Sequence, residues 1–450
     1  MKTTNIVASH LPLDNVWSQI LDWENLLLAY RKARRGKRQQ AEIQDFGFNL
    51  EYELAAIRQN LLNHNYQPGN FRQFTVCDRK LRLISAAPFR DRVVQHALMN
   101  IVEPEVDKIF IGESFASRKY KGVHAAVRVY RHWSNRYAYA LKVDIRRYFD
   151  SIDHLLLKQK LAKLITDPDV CWLFNTIIDS SPPPLNPWCI MAAGDDLVDF
   201  AERIVGLPLG NLTSQFFGNV YLNDLDHFIK QDLKIPAYLR YVDDMVLLAD
   251  SKQRLWDWCE QIEQFLAIER IGLHPHKKML VPVTTGIDVL GYRVFPNSTR
   301  LSRNSGYKFR RKLHRLANAY SEERMTLNAI KPHVAGWLGH AQQADTRGLC
   351  KAILSEVYFI KGARLNDHRV VRGGSWNNNP QNLRSASRNR NNTDEANNNT
   401  GFRVASTPAI LPEPVDSWIY RVCCGCPVAL PPDCTGRAVK EFARIARRYP

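Results

Sequence analysis

The stretch that decides the fold lies at residues 237–249 and reads AYLRYVDDMVLLA. Apolar, β-forming residues flank the adjacent carboxylates Asp243 and Asp244, so the pattern predicts two short strands that meet at an acidic bend. Two ionised carboxylates this close repel each other, and a bound cation relieves the repulsion. Because Mg²⁺ prefers oxygen ligands, the pair indicates a magnesium site. The alternative is a solvated turn, since one such match also arises by chance.

A second carboxylate ends another predicted strand, at residues 137–145, which read YAYALKVDI. If the two strand regions are neighbours, Asp144 joins Asp243 and Asp244. Carboxylates on neighbouring strands can hold two cations about 4 Å apart, the arrangement used for in-line phosphoryl transfer. Asp150 follows shortly afterwards, and we expect it to cap the next helix rather than to bind a metal ion.

The surrounding patterns mix helices and strands. Helical spacing and strand-like alternation predict the following elements: helices within 15–66, a hairpin at 71–85, one long amphipathic helix at 212–230, a helix at 253–271, a return to strand at 279–295, and basic amphipathic helices at 306–360. Strands that carry acids at their ends, interspersed with helices, indicate an α+β fold with an antiparallel sheet of the ferredoxin-like kind.

Length and charge narrow the function classes. The 450 residues are 45% apolar, which predicts two or three domains. Subtracting 45 acidic from 62 basic residues gives +17, which indicates a polyanionic partner such as nucleic acid. Six of the eight residues 31–38 are basic, and we expect an arm that contacts phosphates, with a solvated loop as the alternative.

Other features concern the compartment. The sequence shows no apolar run long enough for a membrane span and no apolar leader segment near its start. Most of its nine cysteines are scattered, which favours reduced thiols in the cytoplasm.

Five motifs in order resemble the palm motifs of reverse transcriptases: DIRRYFDSIDH (144–154), GLPLGNLTSQ (206–215), YVDD (241–244), GLHPHKK (272–278) and VLGYRVF (289–295). The resemblance covers about residues 15–360. It implies a right-hand polymerase with fingers, a ferredoxin-like antiparallel palm and a helical thumb. The divisions it suggests are a basic helical region at 1–66, fingers and palm at 67–296, and a thumb at 297–362.

The resemblance also implies roles for the acids. Asp144, Asp243 and Asp244 match the triad that binds two Mg²⁺ ions, and the carbonyl of Ile145 is a further candidate ligand. Lys277 matches the lysine thought to protonate pyrophosphate, although the neighbouring Lys278 is an alternative. The implied reaction copies a template RNA into cDNA on a primer duplex from dNTPs.

Further positions match substrate contacts of the family. Phe149 matches the steric gate against a ribose 2′-hydroxyl, with a core aromatic residue as the alternative. Arg82 and Lys80 match residues that grip the incoming triphosphate. Gly291 and Tyr292 fall in the sequence that resembles the primer grip.

Two residues point to a class within the family. Motif GLPLGNLTSQ ends in Ser-Gln, with Gln215, which is typical of diversity-generating retroelements, and Leu209 stands where many reverse transcriptases place a glutamine that polices the nascent pair. Losing a polar contact weakens discrimination between right and wrong pairs. We therefore expect copying that is error-prone at template adenines and that diversifies a target gene.

An asparagine-rich segment at 363–405 supports the same class. Residues 371–404 resemble the end of a formylglycine-generating-enzyme-like lectin domain, a usual variable protein of these retroelements. Asn codons contain two adenines whose randomisation never creates a stop codon, so a translated template would be rich in asparagine. The alternative is a disordered tail.

The final segment, 406–450, carries four clustered cysteines, Cys423, Cys424, Cys426 and Cys434. Their spacing is unusual for zinc, so free thiols are the preferred interpretation.

Two rival functions remain open at this point. One is a related polymerase of antiphage defence, and the other is a nucleic-acid-binding scaffold with a dead polymerase site. The diversity-generating class further implies a small basic accessory protein as a partner.

Overall fold

The computed structural model describes residues 16–77, 81–185, 187–191 and 195–359, together with three strands at 368–372, 388–392 and 403–405. The chain divides into two compact units. The first unit comprises the chain up to Leu290 and the short segment Val294–Asn297. The second unit comprises Gly291–Arg293 and the chain from Ser298 onward.

The first unit begins with helices, as predicted for residues 15–66. These are α1 (Val16–Ile20), α2 (Trp23–Ala33), α3 (Ala41–Phe48) and α4 (Leu50–Leu62). Later in the chain comes α5 (Phe89–Val106). The side chain of Asp22 caps α2 by accepting hydrogen bonds from the amides of Glu24 and Asn25. Apolar side chains of α2 and α5, such as Leu26 and Val94, are fully buried in the core of this unit.

The predicted hairpin lies between α4 and α5. Strands β1 (Arg72–Cys77) and β2 (Leu81–Ala86) pair in antiparallel fashion, with Val76 opposite Arg82. Lys80, one of the residues expected to grip the triphosphate, lies outside the described residues.

A four-stranded antiparallel sheet forms the centre of the unit. It contains β3 (Tyr139–Asp144), β4 (Tyr238–Tyr241), β5 (Asp244–Ala249) and β6 (Met279–Pro282), in the order β4–β5–β3–β6. Residues Met245 to Ala249 are all buried, on both faces of the sheet. This pattern explains why the sequence of β5 is a continuous apolar run. The predicted mixture of helices and antiparallel sheet is therefore confirmed.

Further helices of the first unit surround this sheet in sequence: α6 (Val123–Ser134), α7 (Tyr148–Ser151), α8 (His154–Leu164), α9 (Pro168–Asp179), α10 (Leu197–Glu202), α11 (Leu212–Tyr221), α12 (Asn223–His227) and α13 (Lys252–Ile268). Short 3-10 turns occur at Asp107–Ile109 and Val283–Thr285, and a π-helical turn at Phe228–Asp232.

Two local predictions were wrong. Residues 212–230 do not form one helix, because the buried Leu222 leaves the helical conformation (φ −93°, ψ 2°) between α11 and α12, and tertiary packing overrides the continuous pattern. Asp150 does not cap the next helix, because it lies inside α7. The cap of α8 is Asp153, whose backbone is extended and whose side chain accepts a hydrogen bond from the amide of Leu156.

The predicted return to strand at 279–295 corresponds to β6 and to the first two of three further short strands. They are β7 (Ile287–Val289), β8 (Tyr292–Val294) and β9 (Thr299–Leu301).

The predicted basic helices of the second unit are α14 (Arg303–Ser321), α15 (Leu327–Ala341) and α16 (Arg347–Leu354). They enclose a core in which Phe309 stacks on Trp337, with ring centroids 4.0 Å apart.

Beyond α16 the described backbone forms one small antiparallel sheet. Its strands are β10 (His368–Arg372), β11 (Arg388–Asn392) and β12 (Arg403–Ala405), in the order β11–β10–β12. The rest of the asparagine-rich segment, and the tail with Cys423, Cys424, Cys426 and Cys434, lie outside the described residues.

The cysteines and the helices of the described residues can be compared with the sequence expectations about the compartment. Its five cysteines are all free thiols. None of its helices combines the length and the apolar character that crossing a membrane requires.

Candidate functional site

Asp243 lies in a two-residue turn between β4 and β5. Tyr241 pairs with Asp244, so Val242 and Asp243 form the corner. Val242 adopts a left-handed conformation (φ 57°), which is rare for a β-branched residue. The turn therefore holds a strained backbone immediately before the two adjacent carboxylates.

Asp144 faces this turn from the neighbouring strand. It stands directly opposite Asp244 in the β3–β5 register, a position that places the two Cα atoms about 4.5–5.5 Å apart. The amide of Ile145 donates to the carbonyl of Asp243 at 3.2 Å, which ties the end of β3 to the corner. The structure thus brings together the three acids singled out in the sequence, here called the acidic cluster (Asp144, Asp243 and Asp244).

The charges of the acidic cluster interact strongly. Burial, followed by the negative charges of Asp144 and Asp244, raises the pKa of the Asp243 carboxyl to about 6, while Lys277 opposes the rise. A carboxyl that is costly to ionise in this setting is stabilised in its charged form by any added cation.

Two lysines supply part of that positive charge. Lys277 lies with its Nζ 2.7 Å from Oδ2 of Asp144, and its expected role as a proton donor to pyrophosphate stays a prediction. The alternative residue, Lys278, instead pairs with Glu263 at 2.6 Å. The amide of His274 donates to the carbonyl of Asp144 at 2.7 Å, which anchors the segment that carries Lys277 beside β3.

Lys142 is the second lysine, and the sequence reasoning missed it. Its Nζ lies 3.2 Å from Oδ1 of Asp244 and 3.3 Å from the carbonyl of Asp288. Side chains two residues apart on a strand point to the same face, so the position of Lys142 relative to Asp144 was the available signal.

The donor set suits a hard divalent cation, because all three acidic side chains offer carboxylate oxygens. Among the residues that the structure describes, no group of three acidic, histidine or cysteine side chains already has a metal-binding arrangement. Lys277 and Lys142 pair with oxygens of Asp144 and Asp244, respectively. Ile145 bridges to Leu273, and its carbonyl stays a predicted ligand.

Phe149 lies on α7, five residues after Asp144, and is half-buried. Its ring packs beside Tyr148, with centroids 5.3 Å apart. A Cβ atom on Gly218 of α11 would lie 3.2 Å from the Tyr148 ring and 3.3 Å from the Phe149 ring. The glycine therefore allows the helix to approach both aromatic rings, and the steric-gate role of Phe149 stays a prediction.

The loop that carries Leu209 is fastened to strand β2. The carbonyl of Leu209 accepts a hydrogen bond from the amide of Ser85 at 2.9 Å. A Cβ on Gly210 (φ 113°) would lie 2.9 Å from Ile84. The strand that holds the exposed Arg82 is thus joined to the loop that holds Leu209, as a shared substrate site would require.

Gln215 and the two primer-grip candidates have local contacts of their own. Gln215 is exposed on α11 and accepts a hydrogen bond from the Ser117 hydroxyl at 2.8 Å. Gly291 (φ 92°) and Tyr292 belong to the second unit. There the buried Tyr292 hydroxyl donates to the carbonyl of His340 at 2.9 Å, and burial raises its pKa to about 12.

Comparison with known families matches two segments of the chain. Residues 74–294 match the model described as reverse transcriptase (RNA-dependent DNA polymerase). Residues 320–408 match a sulfatase-modifying factor enzyme 1-like domain.

Curated proteins similar to the chain include several from introns. Protein YkfC of Escherichia coli is 26% identical over 48% of this chain and 52% of its own length. The group II intron-encoded protein LtrA of Lactococcus lactis is 24% identical over 41% and 29%, respectively. Nuclear intron maturase 2, mitochondrial, of Arabidopsis thaliana is 26% identical over 28% of this chain and 19% of its own length. The chain spans about half or less of the length of these relatives.

Proposed function

We propose that this chain, whose residues 74–294 form a reverse transcriptase domain with group II intron-type relatives, is an RNA-directed DNA polymerase. The observation that carries the proposal is the register that sets Asp144 opposite Asp244, with Asp243 at the adjoining corner. The acidic cluster offers the oxygen ligands that two Mg²⁺ ions use in nucleotidyl transfer. Template RNA, a primer–cDNA duplex and dNTPs are the proposed substrates.

In this proposal the acidic cluster and the carbonyl of Ile145 hold the ions, which would activate the primer 3′-hydroxyl and stabilise the leaving pyrophosphate. Lys277, which lies 2.7 Å from Asp144, stands ready to give a proton to the pyrophosphate. Arg82 and Lys80 bind the triphosphate, and Phe149 excludes a ribose 2′-hydroxyl. Gly291 and Tyr292 support the primer strand.

Primer extension on an RNA template tests the proposal. The full chain with Mg²⁺ and dNTPs should extend a DNA primer, and Asp243→Asn should lower the rate by about three orders of magnitude or more, because removing an interaction of the transition state acts on the chemical step. Asp257→Asn, which alters an exposed aspartate of α13, is the matched control. Absence of extension by the unmodified chain would instead favour the dead-scaffold alternative.

We further propose that the enzyme belongs to the diversity-generating class. Leu209 and Gln215 support this class, as does the match of residues 320–408 to a sulfatase-modifying factor enzyme 1-like domain. The asparagine-rich segment would then be a translated template. A near-copy of its coding sequence in neighbouring DNA, differing only at template adenines, is the expected finding.

Scattered differences, or no near-copy at all, would contradict that class and favour an antiphage polymerase. A small basic accessory protein and a cytoplasmic setting are part of the same proposal, and the free thiols of the described residues support the second.

A further inference from the structure

Arg240 is a fully buried cation in the strand that leads into the acidic turn. Both Arg240 and its ion-pair partner Asp226, on α12, have side chains with 0% exposure. Burying the charge of an arginine costs free energy unless its N–H donors have acceptors. Arg240 lies between the buried Leu239 and the turn, so the acceptors of its donors have to be identified.

All five N–H donors of the Arg240 guanidinium have an acceptor. Nε and one terminal nitrogen bind the carboxylate of Asp226, at 2.9 Å and 2.6 Å, and that second nitrogen also donates to the Ser114 hydroxyl at 3.2 Å. The other terminal nitrogen donates at 3.2 Å to the side-chain carbonyl of Asn219 and at 3.2 Å to the backbone carbonyl of Val242. The guanidinium therefore joins α11, α12 and the loop before α6 to the acidic turn.

The carboxylate of Asp226 fixes the orientation of this guanidinium. It also accepts a hydrogen bond from the Tyr238 hydroxyl at 2.7 Å, from the same strand as Arg240. The backbone of Arg240 is held as well. Its amide donates to the backbone carbonyl of Glu113, and its carbonyl accepts a hydrogen bond from the amide of Phe115, each at 3.0 Å. Little freedom remains for the guanidinium to move away from Val242.

The Val242 carbonyl is the contact that matters for the site. Val242 carries the left-handed conformation of the turn and directly precedes Asp243. A non-glycine residue persists in such a conformation only where its surroundings over-determine it. A fixed donor on its carbonyl opposes rotation of the Val242–Asp243 peptide, and that rotation would turn Asp243 away from Asp144.

We infer that Arg240 is a positioning residue, which holds the acidic turn in the geometry that gathers the acidic cluster. The inference rests on the proposed function, because that function gives the cluster its purpose. Lysine at this position would keep the charge beside Asp226 but could not reach Asp226, Ser114, Asn219 and Val242 together, since its ammonium lacks the planar fork.

The test compares Arg240→Lys with Lys160→Arg in the full chain. Lys160 is a matched control because it is 9% exposed, pairs with two carboxylates, Asp224 and Glu269, and has no described contact with the turn. The first readout is hydrogen exchange of the Ile145 amide, which donates to the Asp243 carbonyl. The second readout is the binding of Mn²⁺ alone, which is measured by the decrease of the electron paramagnetic resonance signal of the free ion.

Arg240→Lys should speed exchange at Ile145 by about tenfold or more, leave Val143 of β3 unchanged, and weaken Mn²⁺ binding several-fold. Lys160→Arg should change neither readout. Wild-type behaviour of a folded Arg240→Lys protein in both readouts, or faster exchange spread evenly through β3, would overturn the inference.

If Arg240→Lys does not fold, Asn219→Ala removes one acceptor of the guanidinium nitrogen that binds Val242, and a smaller effect confined to the same two readouts is expected. An unchanged Ile145 amide in that variant counts against the inference. Neither readout requires polymerisation, so failure of the unmodified chain to extend a primer would reject the proposed function and leave these results interpretable.

Discussion

At the scale of single residues, lysines and carboxylates balance one another around the acidic cluster. Lys277 and Lys142 each pair with a different member, Asp144 and Asp244. Cations that arrive at the cluster must therefore compete with two ammonium groups, so the lysines influence affinity as well as chemistry. A single side chain is also the basis of the fidelity proposal, which concerns Leu209.

Replacing Leu209 by glutamine tests the fidelity proposal. The hydrogen bond of its carbonyl to Ser85 and the close contact of Gly210 with Ile84 fix the backbone, so the loop should tolerate a new side chain. Leu209→Gln should lower misincorporation opposite template adenine by about tenfold, because a polar contact in a tight pocket adds discrimination. Leu209→Met keeps the volume without the amide and is the control. Unchanged adenine errors, measured by sequencing the products, would count against the idea.

Residue identities explain what the sequence could and could not predict about the site. Asp144, Asp243 and Asp244 were predictable, because carboxylates at strand ends interrupt apolar runs. Lys142 and Arg240 sit inside such runs and were not singled out, since their partners, Asp244 and Asp226, are distant in sequence and only the fold brings them near.

At the scale of elements, strands were easier to predict than helix boundaries. The hairpin of β1 and β2 and the turn between β4 and β5 follow from local alternation and punctuation. The break at Leu222 and the cap at Asp153 do not, because both depend on burial against other elements. The packing of α5 has a further effect that depends on tertiary structure, because it lowers the pKa of His96.

His96 on α5 should make stability depend on pH. Burial lowers its pKa to about 4, and the cations Lys32, Arg92 and Lys37 lower it as well. The unfolded chain binds a proton near pH 6.5 and the folded chain does not, so stability present at pH 7.5 is lost as the pH falls from 6.5 towards 4.

The free energy of unfolding should fall in the unmodified protein when the pH is lowered from 7.5 to 5. In His96→Gln this decrease should be smaller by about 1–2 kcal/mol. Urea denaturation of both proteins at the two pH values measures this difference. Parallel losses would show that His96 does not stay neutral in the folded state.

At the scale of the whole molecule, the excess of 17 positive charges favours binding to nucleic acid, and the exposed face of α14 is a concentrated source of it. Arg311 and Arg315 lie one turn apart on that face, while Phe309 and Leu313 point into the core of the second unit. Arg311 and Arg315 therefore lie on the exposed face of the helix and outside that core.

Replacing both Arg311 and Arg315 by alanine should reduce the slope of log affinity against log salt concentration by about 1.4–1.8, because each lost phosphate contact removes about 0.7–0.9. The matched control replaces Lys108 and Arg324, cations that pair with Glu105 and Glu322, and lowers the net charge equally. Fluorescence anisotropy with a primer–template duplex from 50 to 300 mM salt measures both. Equal slopes in the two double variants would indicate that only net charge matters.

The strand order has a consequence for biosynthesis. Strand β3 leaves the ribosome about a hundred residues before β5 and still longer before β6, yet both become its hydrogen-bonded neighbours. Such long-range pairing makes folding slow, since distant segments must meet first. A nascent polypeptide that ends before Asp243 carries one acid of the cluster without its companions, so truncated translation products cannot assemble the acidic cluster.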